Sequence, residues 1–62
     1  MKVGNRVVFV KDVHHDGGVI SVGTEGTISN IAETWDKTYA LVLVEEDMKV
    51  YVVDIASIKR IK

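Results

Sequence analysis

Apolar residues in this chain form short runs separated by polar segments that contain glycine. Most of them branch at Cβ, since the chain has 12 valines and 6 isoleucines against 2 leucines and 3 alanines. Branching at Cβ suits a pleated strand better than a helix, and no segment repeats apolar residues at i, i+3, i+4 and i+7. The pattern therefore predicts an all-β protein, and its 62 residues form one domain spanning residues 1–62.

Five short strands are predicted from runs of β-branched and aromatic residues that end at turn-forming segments. They are Arg6–Lys11, Glu25–Ile31, Tyr39–Glu45, Lys49–Val53 and Ile58–Lys62. The segment Asp12–Gly23 is polar and rich in glycine, which predicts a long, mobile loop after the first strand. One short 3-10 turn is predicted over Asp54–Ile58, before the last strand, because Asp54 can cap it and Ile55 and Ile58 are three residues apart.

The order of these elements resembles that of a small SH3-like barrel. "VGNRVVFV" is similar to the opening strand of such barrels, "VGTEGTISNI" to the second strand with the glycine-x-x-glycine entry of KOW-type domains, and "VDIASIKRI" to the closing turn and strand. The resemblance implies a five-stranded SH3-like barrel. Its inward side chains are predicted to include Val7, Phe9, Ile28, Leu41, Leu43, Val50, Val52 and Ile58.

The glycines of "VGTEGTISNI" could belong to a ligand loop or to a turn. A Walker-type phosphate loop needs a Gly-Lys-Ser/Thr ending and a following helix, and a KH-type loop lies between two helices. The sequence predicts neither arrangement. We therefore interpret Gly23 and Gly26 as positive-φ positions of a tight turn that leads into a strand.

The residue types that carry catalysis or bind metals form no convincing cluster. His14, His15 and Asp16 are adjacent, and neighbouring side chains of an extended segment point to opposite sides, which favours a solvated loop tip over a zinc site. The carboxylates of the run Glu45–Asp47 lie in a predicted turn, where no cleft would shift a pKa for acid–base catalysis. The sequence therefore predicts no metal, no cofactor and no enzymatic activity.

One enzyme family resembles the chain at its C-terminal segment, "VYVVDIASIKRI". The plasmid-encoded type II dihydrofolate reductases are SH3-like barrels of this length, and their active pore uses a Val-Gln-Ile-Tyr segment. This chain has Val50-Tyr51-Val52-Val53 in that place. Because both the glutamine and the tyrosine are replaced, the resemblance supports the fold and does not carry over the reductase activity.

Charge is distributed unevenly along the chain. Its net charge is −1, and all nine acidic residues lie between Asp12 and Asp54. Six of the eight basic residues lie near the termini, namely Lys2, Arg6, Lys11, Lys59, Arg60 and Lys62. The terminal strands of such a barrel come together, so one basic side is predicted, and a field of this kind steers a partner electrostatically.

Two functions remain open at this point. The first is a small module that binds another protein through Trp35, Tyr39 and Tyr51. Trp35 lies in a polar turn, where it either anchors such an interface or folds back to cap one end of the barrel. The second is a KOW-like domain that binds RNA or DNA through the six basic terminal residues. Dedicated nucleic-acid domains usually have a pI above about 9, whereas the pI here is about 6.0. We therefore favour the protein-binding module.

Self-association and location are also predicted. "VVFV", "ALVLV" and "VYVV" hardly alternate between apolar and polar residues, so both faces of at least two strands avoid water, which predicts a homodimer. The sequence contains no signal-peptide-like start and no apolar run of about 18 residues, which predicts a soluble cytoplasmic protein. Its size fits a small regulator from a phage, a plasmid or a bacterium.

Overall fold

The computed structural model describes residues 1–61, and Lys62 lies outside the described residues. The elements are β1 (Arg6–Phe9), β2 (Val13–His15), β3 (Gly18–Ile20), β4 (Glu25–Glu33), β5 (Thr38–Val44), β6 (Lys49–Asp54), a 3-10 helix (Ile55–Ser57) and β7 (Ile58–Ile61). The predicted all-β fold with one 3-10 turn before the last strand is confirmed. Among residues 1–61, no helix has the length and apolar character needed to cross a membrane.

Five of the strands form one antiparallel sheet in the order β6-β5-β4-β1-β7. Strands β1 and β7 pair from Arg6 opposite Ile61 to Phe9 opposite Ile58, which brings the two ends of the chain together as expected. No ladder joins β6 to β7 among the described residues, so the sheet is open and the predicted closure into a barrel is not confirmed. The segment Asp12–Gly23, predicted as a loop, contains a second sheet formed by the hairpin β2–β3.

The core lies on one side of the five-stranded sheet. Its buried apolar residues are Val7, Phe9, Ile20, Ile28, Ala40, Val42, Val44, Val53 and Ile58. The predicted inward positions on β1, β4 and β7 are confirmed. Those on β5 and β6 are wrong, because Leu41 and Leu43 are only half-buried and Val50 and Val52 are exposed.

Pairing between β4 and β5 explains why the core side of β5 is the opposite of the predicted one. Residues opposite each other in an antiparallel pair project to the same side of the sheet. Val42 lies opposite Ile28, and Ile28 is buried, so Val42 also points into the core. The alternation then places Leu41 and Leu43 on the outer side. "ALVLV" is apolar at both parities, so its pattern could not have distinguished these two choices.

A β-bulge in β4 changes which residues of that strand face the core. The register shifts between Ile28 and Asn30, so Ser29 has no single partner on β5. After the bulge, Asn30 lies opposite Leu41 on the outer side and Ile31 lies opposite Ala40 on the core side. One inserted residue therefore turns a polar side chain outward and packs Ile31 against the core.

The two glycines singled out in the sequence have different roles. Gly23 has a φ of 93°, as predicted for the turn before β4. Gly26 does not have a positive φ, which corrects its prediction, and instead lies buried in β4. A Cβ at Gly26 would lie 2.6 Å from the carbonyl oxygen of Leu43 and 2.7 Å from Cγ1 of Val42. Gly26 therefore permits β4 and β5 to approach closely.

The 3-10 helix connects β6 to β7 through a capped turn. Asp54 Oδ1 accepts a hydrogen bond from the Ala56 backbone N–H at 2.9 Å, and the Ile58 N–H bonds to the Ile55 carbonyl. The backbone N–H of Val10 donates to the Ser57 carbonyl oxygen at 2.9 Å, which ties this turn to the end of β1. These bonds place β7 beside β1.

Replacing Gly26 by alanine is expected to destabilise the fold by about 1–3 kcal/mol, the usual cost of overpacking a core position. The added methyl group would clash with the backbone of β5, which cannot move without disturbing the sheet. Gly17→Ala is the matched control, because its Cβ would meet only the half-buried His15 side chain, at 3.3 Å, and no backbone atom, so it should cost less than about 0.5 kcal/mol. Urea denaturation measures the stability of both variants. Equal midpoints for Gly26→Ala and Gly17→Ala would contradict the close approach of β4 and β5 at Gly26.

Asp54→Asn is expected to lower the stability at pH 7 and to matter less in acid. The backbone N–H of Ala56, followed by Lys37 and Lys11, lowers the pKa of Asp54 below its ordinary 3.8. A carboxyl whose pKa is lower in the folded state stabilises the fold above its unfolded pKa, and this contribution is lost as the pH falls through the folded pKa. This contribution is measured by thermal melts at pH 7 and pH 2. The proteins compared are the wild type, Asp54→Asn and the exposed control Asp16→Asn. A pH-independent difference between wild type and Asp54→Asn would contradict it.

Candidate functional site

The outer side of strands β5 and β6 carries a group of four apolar side chains. We call this group, formed by Leu41, Leu43, Val50 and Val52, the outer patch. Leu41 lies opposite Val52 and Leu43 lies opposite Val50, so the four side chains are neighbours on one side of the sheet. Val50 is 50% exposed and Val52 is 65% exposed. Water therefore contacts a contiguous apolar surface.

The outer patch lies at an edge of the sheet and has polar neighbours. Among residues 1–61, β6 pairs with β5 alone, so its other side presents unpaired backbone groups. On β4, Thr27 lies beside Leu43 and Asn30 lies beside Leu41. An apolar centre with a polar rim is the usual arrangement of a protein–protein interface.

Trp35 lies in the turn between β4 and β5 and is 96% exposed. Thr34 fixes this turn, because its backbone N–H donates to the Lys37 carbonyl at 2.7 Å and its Oγ1 lies 3.0 Å from Asp36 Oδ1. Lys37 Nζ lies 3.4 Å from Asp54 Oδ2, which links the turn to the end of β6. The indole is therefore presented to solvent from a hydrogen-bonded turn and does not fold back onto the sheet.

The structure separates the two tyrosines that were grouped with Trp35. Tyr39 precedes Leu41 by two residues on β5 and continues the outer side of the sheet. Tyr51 lies opposite Val42, on the core side. It packs against the His15 ring with the two centroids 4.7 Å apart. The predicted interface residues Trp35, Tyr39 and Tyr51 therefore do not share one surface.

Tyr51 belongs instead to a small polar cleft between the β2–β3 hairpin and the turn that connects β5 to β6. The cleft has a volume of about 90 Å³, and His15, Ser21, Thr24, Glu46, Asp47 and Tyr51 supply its polar groups. Tyr51 donates a hydrogen bond to the Asp47 carboxylate, which raises the pKa of Tyr51 and lowers that of Asp47. Small-molecule sites usually measure about 300–1,000 Å³, so this cleft is too small for a substrate of ordinary size.

The histidine pair is divided between solvent and this cleft. His14 is exposed, whereas His15 is half-buried against Tyr51 and accepts a hydrogen bond at Nδ1 from the Gly17 N–H at 3.1 Å. Within residues 1–61, no three His, Asp or Glu side chains are grouped as metal ligands would be. His15 thus serves as a contact between the hairpin and β6.

The predicted basic strip is not a single cationic surface. Arg6 forms ion pairs with Glu45 and, at 3.2 Å, with Glu25, and these carboxylates raise the pKa of Arg6. Lys59 and Arg60 are neighbours on β7 and therefore project to opposite sides of the strand. Lys2 and Lys11 are exposed outside the strands, and Lys62 lies beyond the described residues.

Sequence reasoning predicted a second apolar side on these strands but assigned Leu41, Leu43, Val50 and Val52 to the core instead of to that side. The signal for an outer apolar surface was nevertheless available, since "ALVLV" and "VYVV" are apolar at both parities. Such strands present apolar side chains on two sides, and only one of these sides can face the core of a single small sheet. The pattern does not show which of the two sides faces the core. The pairing of β5 with β4 determines that side.

Comparison of the chain with models of protein families, with curated proteins and with solved structures gives no match. A function for this chain must therefore be inferred from its own surface. Three features of that surface bear on the inference: the outer patch, the unpaired edge of β6 and the exposed indole of Trp35. Together they are typical of a protein that binds other proteins.

Proposed function

We propose that this chain is a non-enzymatic, cytoplasmic interaction module that binds a protein partner through the outer side of β5 and β6. The observation that carries the proposal is the position of the outer patch beside an unpaired edge strand. An exposed edge accepts an extended segment by adding it as a further strand, and neighbouring side chains then give specificity. The same two features would make a permanently uncovered surface prone to aggregation.

An SH3-like architecture is part of the proposal. Three features support it: the meander β4-β5-β6, the hairpin inserted between β1 and β4, and the 3-10 turn that precedes the pairing of β7 with β1. A small β-module of this kind fits a regulator from a phage, a plasmid or a bacterium, acting by association with its partner.

Burial of the apolar outer patch would supply the driving force for binding the partner. Covering about 400 Å² of apolar surface contributes roughly 10 kcal/mol at about 25 cal/mol per Å², before the cost of association is subtracted. Trp35 adds a large aromatic side chain of the kind that dominates interface energetics. Because the Thr34–Lys37 turn is already held by hydrogen bonds, little backbone freedom would be lost when Trp35 is buried.

The alternative, a KOW-like nucleic-acid-binding domain, has weaker support. Arg6 is the central cation of the terminal strands, and two carboxylates already neutralise it. Dedicated nucleic-acid domains concentrate lysine and arginine on one face, whereas Lys59 and Arg60 point to opposite sides of β7. Binding of phosphate would require Arg6 to leave Glu25 and Glu45.

Capture experiments with point variants test the proposed surface. We expect Val52→Lys and Trp35→Ala to abolish the retention of proteins that the tagged wild type retains from an extract of the native host. Both side chains are exposed, so neither change should disturb the core. Val22→Lys is the matched control, because Val22 is 60% exposed and lies in the turn before β4, outside the outer patch.

Treatment of the extract with nuclease separates the two functions. Retention that is unaffected by nuclease and lost in the two variants supports the protein-binding module. Retention that disappears with nuclease, or falls steeply as the salt concentration rises, would indicate nucleic-acid binding instead. Equal retention by Val52→Lys and Val22→Lys would remove the outer patch from the interface.

A further inference from the structure

We infer that the edge of β6 binds an extended segment of a partner protein with apolar residues at alternate central positions and basic residues at both ends. The inference rests on the proposed function and identifies the chemistry of the partner. The segment adds one strand to the sheet beside β6, and its basic residues lie near the acidic groups at the two ends of that strand.

The outer patch is most exposed on the strand that lacks a neighbour. Leu41 and Leu43 lie on β5, between two other strands, and are half-buried. Val50 and Val52 lie on the edge strand and are 50% and 65% exposed. Side chains on neighbouring strands contact each other across one side of a sheet, so a strand beside β6 would cover the open flanks of both valines. The backbone groups along this edge would gain partners at the same time.

Acidic residues lie at both ends of β6. Glu45, Glu46 and Asp47 precede Lys49 at its start, and Asp54 ends it beside the turn that contains Glu33, Asp36 and Lys37. Two of these carboxylates are already paired, Glu45 with Arg6 and Asp54 with Lys37. Among residues 1–61, four carboxylates then remain against Lys49, so both ends of β6 keep an excess of negative charge.

A segment with basic residues at both ends is complementary to this pattern. Opposite charges across an interface select the correct partner, and like charges exclude wrong ones. The other edge of the sheet has the opposite character, because Lys59 and Arg60 are exposed on β7. A basic segment would therefore bind at β6 and be repelled at β7.

Trp35 lies at one of the acidic ends. It follows Glu33 by two residues, precedes Asp36 directly, and exposes 96% of its surface. A lysine or arginine over the face of an indole is attracted by the ring quadrupole, and tryptophan is the best aromatic side chain for this contact. A basic residue at that end of the segment would thus be attracted by the two carboxylates and could pack on the indole.

Three synthetic peptides test the inference. All have the centre Val-Thr-Val-Thr-Val, and each end carries two lysines, two glutamines or two glutamates. In NMR titrations we expect the lysine-ended peptide to bind roughly tenfold more tightly than the glutamate-ended one, the effect of a few exposed ion pairs. The glutamine-ended peptide should lie between them, and the preference should shrink as the salt concentration rises. Amide hydrogen exchange should slow in β6 and not in β7.

Charge reversal in the chain provides the matched comparison. Glu46→Lys should weaken the preference for the lysine-ended peptide, because it reverses an exposed charge at the start of β6. The control Val3→Lys/Val22→Lys changes the net charge by the same amount at two exposed valines outside the ends of β6 and should keep the preference. Equal effects of the two variants would reduce the preference to net charge and overturn the inference.

The remaining outcomes also decide. No binding up to millimolar peptide, equal binding of the three peptides, or slowed exchange outside β6 would each overturn the inference. Self-association of the wild type in sedimentation equilibrium, with exchange slowed in β6, would assign this edge to a second copy and overturn it as well. Capture of a host protein that still depends on Val52, without any preference for the lysine-ended peptide, would leave the proposed function standing.

Discussion

The close pairing of β4 with β5 determines most of this structure. Gly26 has no side chain, and the carbonyl oxygen of Leu43 occupies the space where a Cβ would lie. The register of this pair places Val42 opposite Ile28 and Val44 opposite Gly26, so the valines of β5 enter the core. The leucines of β5 must then face outward. Because β6 pairs with β5, the same parity turns Val50 and Val52 to the outer side.

Electrostatics reinforces this division of the surface. Arg6 on β1 binds Glu25 on β4 and Glu45 after β5, so one guanidinium links three parts of the sheet on its outer side. Because Arg6 is paired with two carboxylates, the basic residues near the termini do not form one cationic surface. The apolar side chains of β5 and β6 remain open to a partner. The surface that stands out is therefore apolar and not cationic.

Because the domain is small, a partner that covered this surface would add a substantial share of its stability. A chain of about 60 residues buries only about 60% of the surface of its unfolded form, and it has no disulfide to compensate. A partner that binds only the folded state adds to the stability by mass action. The valines that β6 exposes would thus contribute to stability only once a partner covers them.

The sequence by itself determined the all-β class, the order of the five main strands, the capped turn at Asp54 and the inward residues of β1, β4 and β7. These features follow from local chemistry: Cβ branching, side-chain capping, and alternation where alternation exists. Tertiary structure decided the parity of β5 and β6, the bulge at Ser29, the hairpin within Asp12–Gly23 and the separation of Tyr39 from Tyr51. In a strand that is apolar on both sides, the side that becomes core depends on the register with its neighbour, and for β5 that register is the pairing with β4.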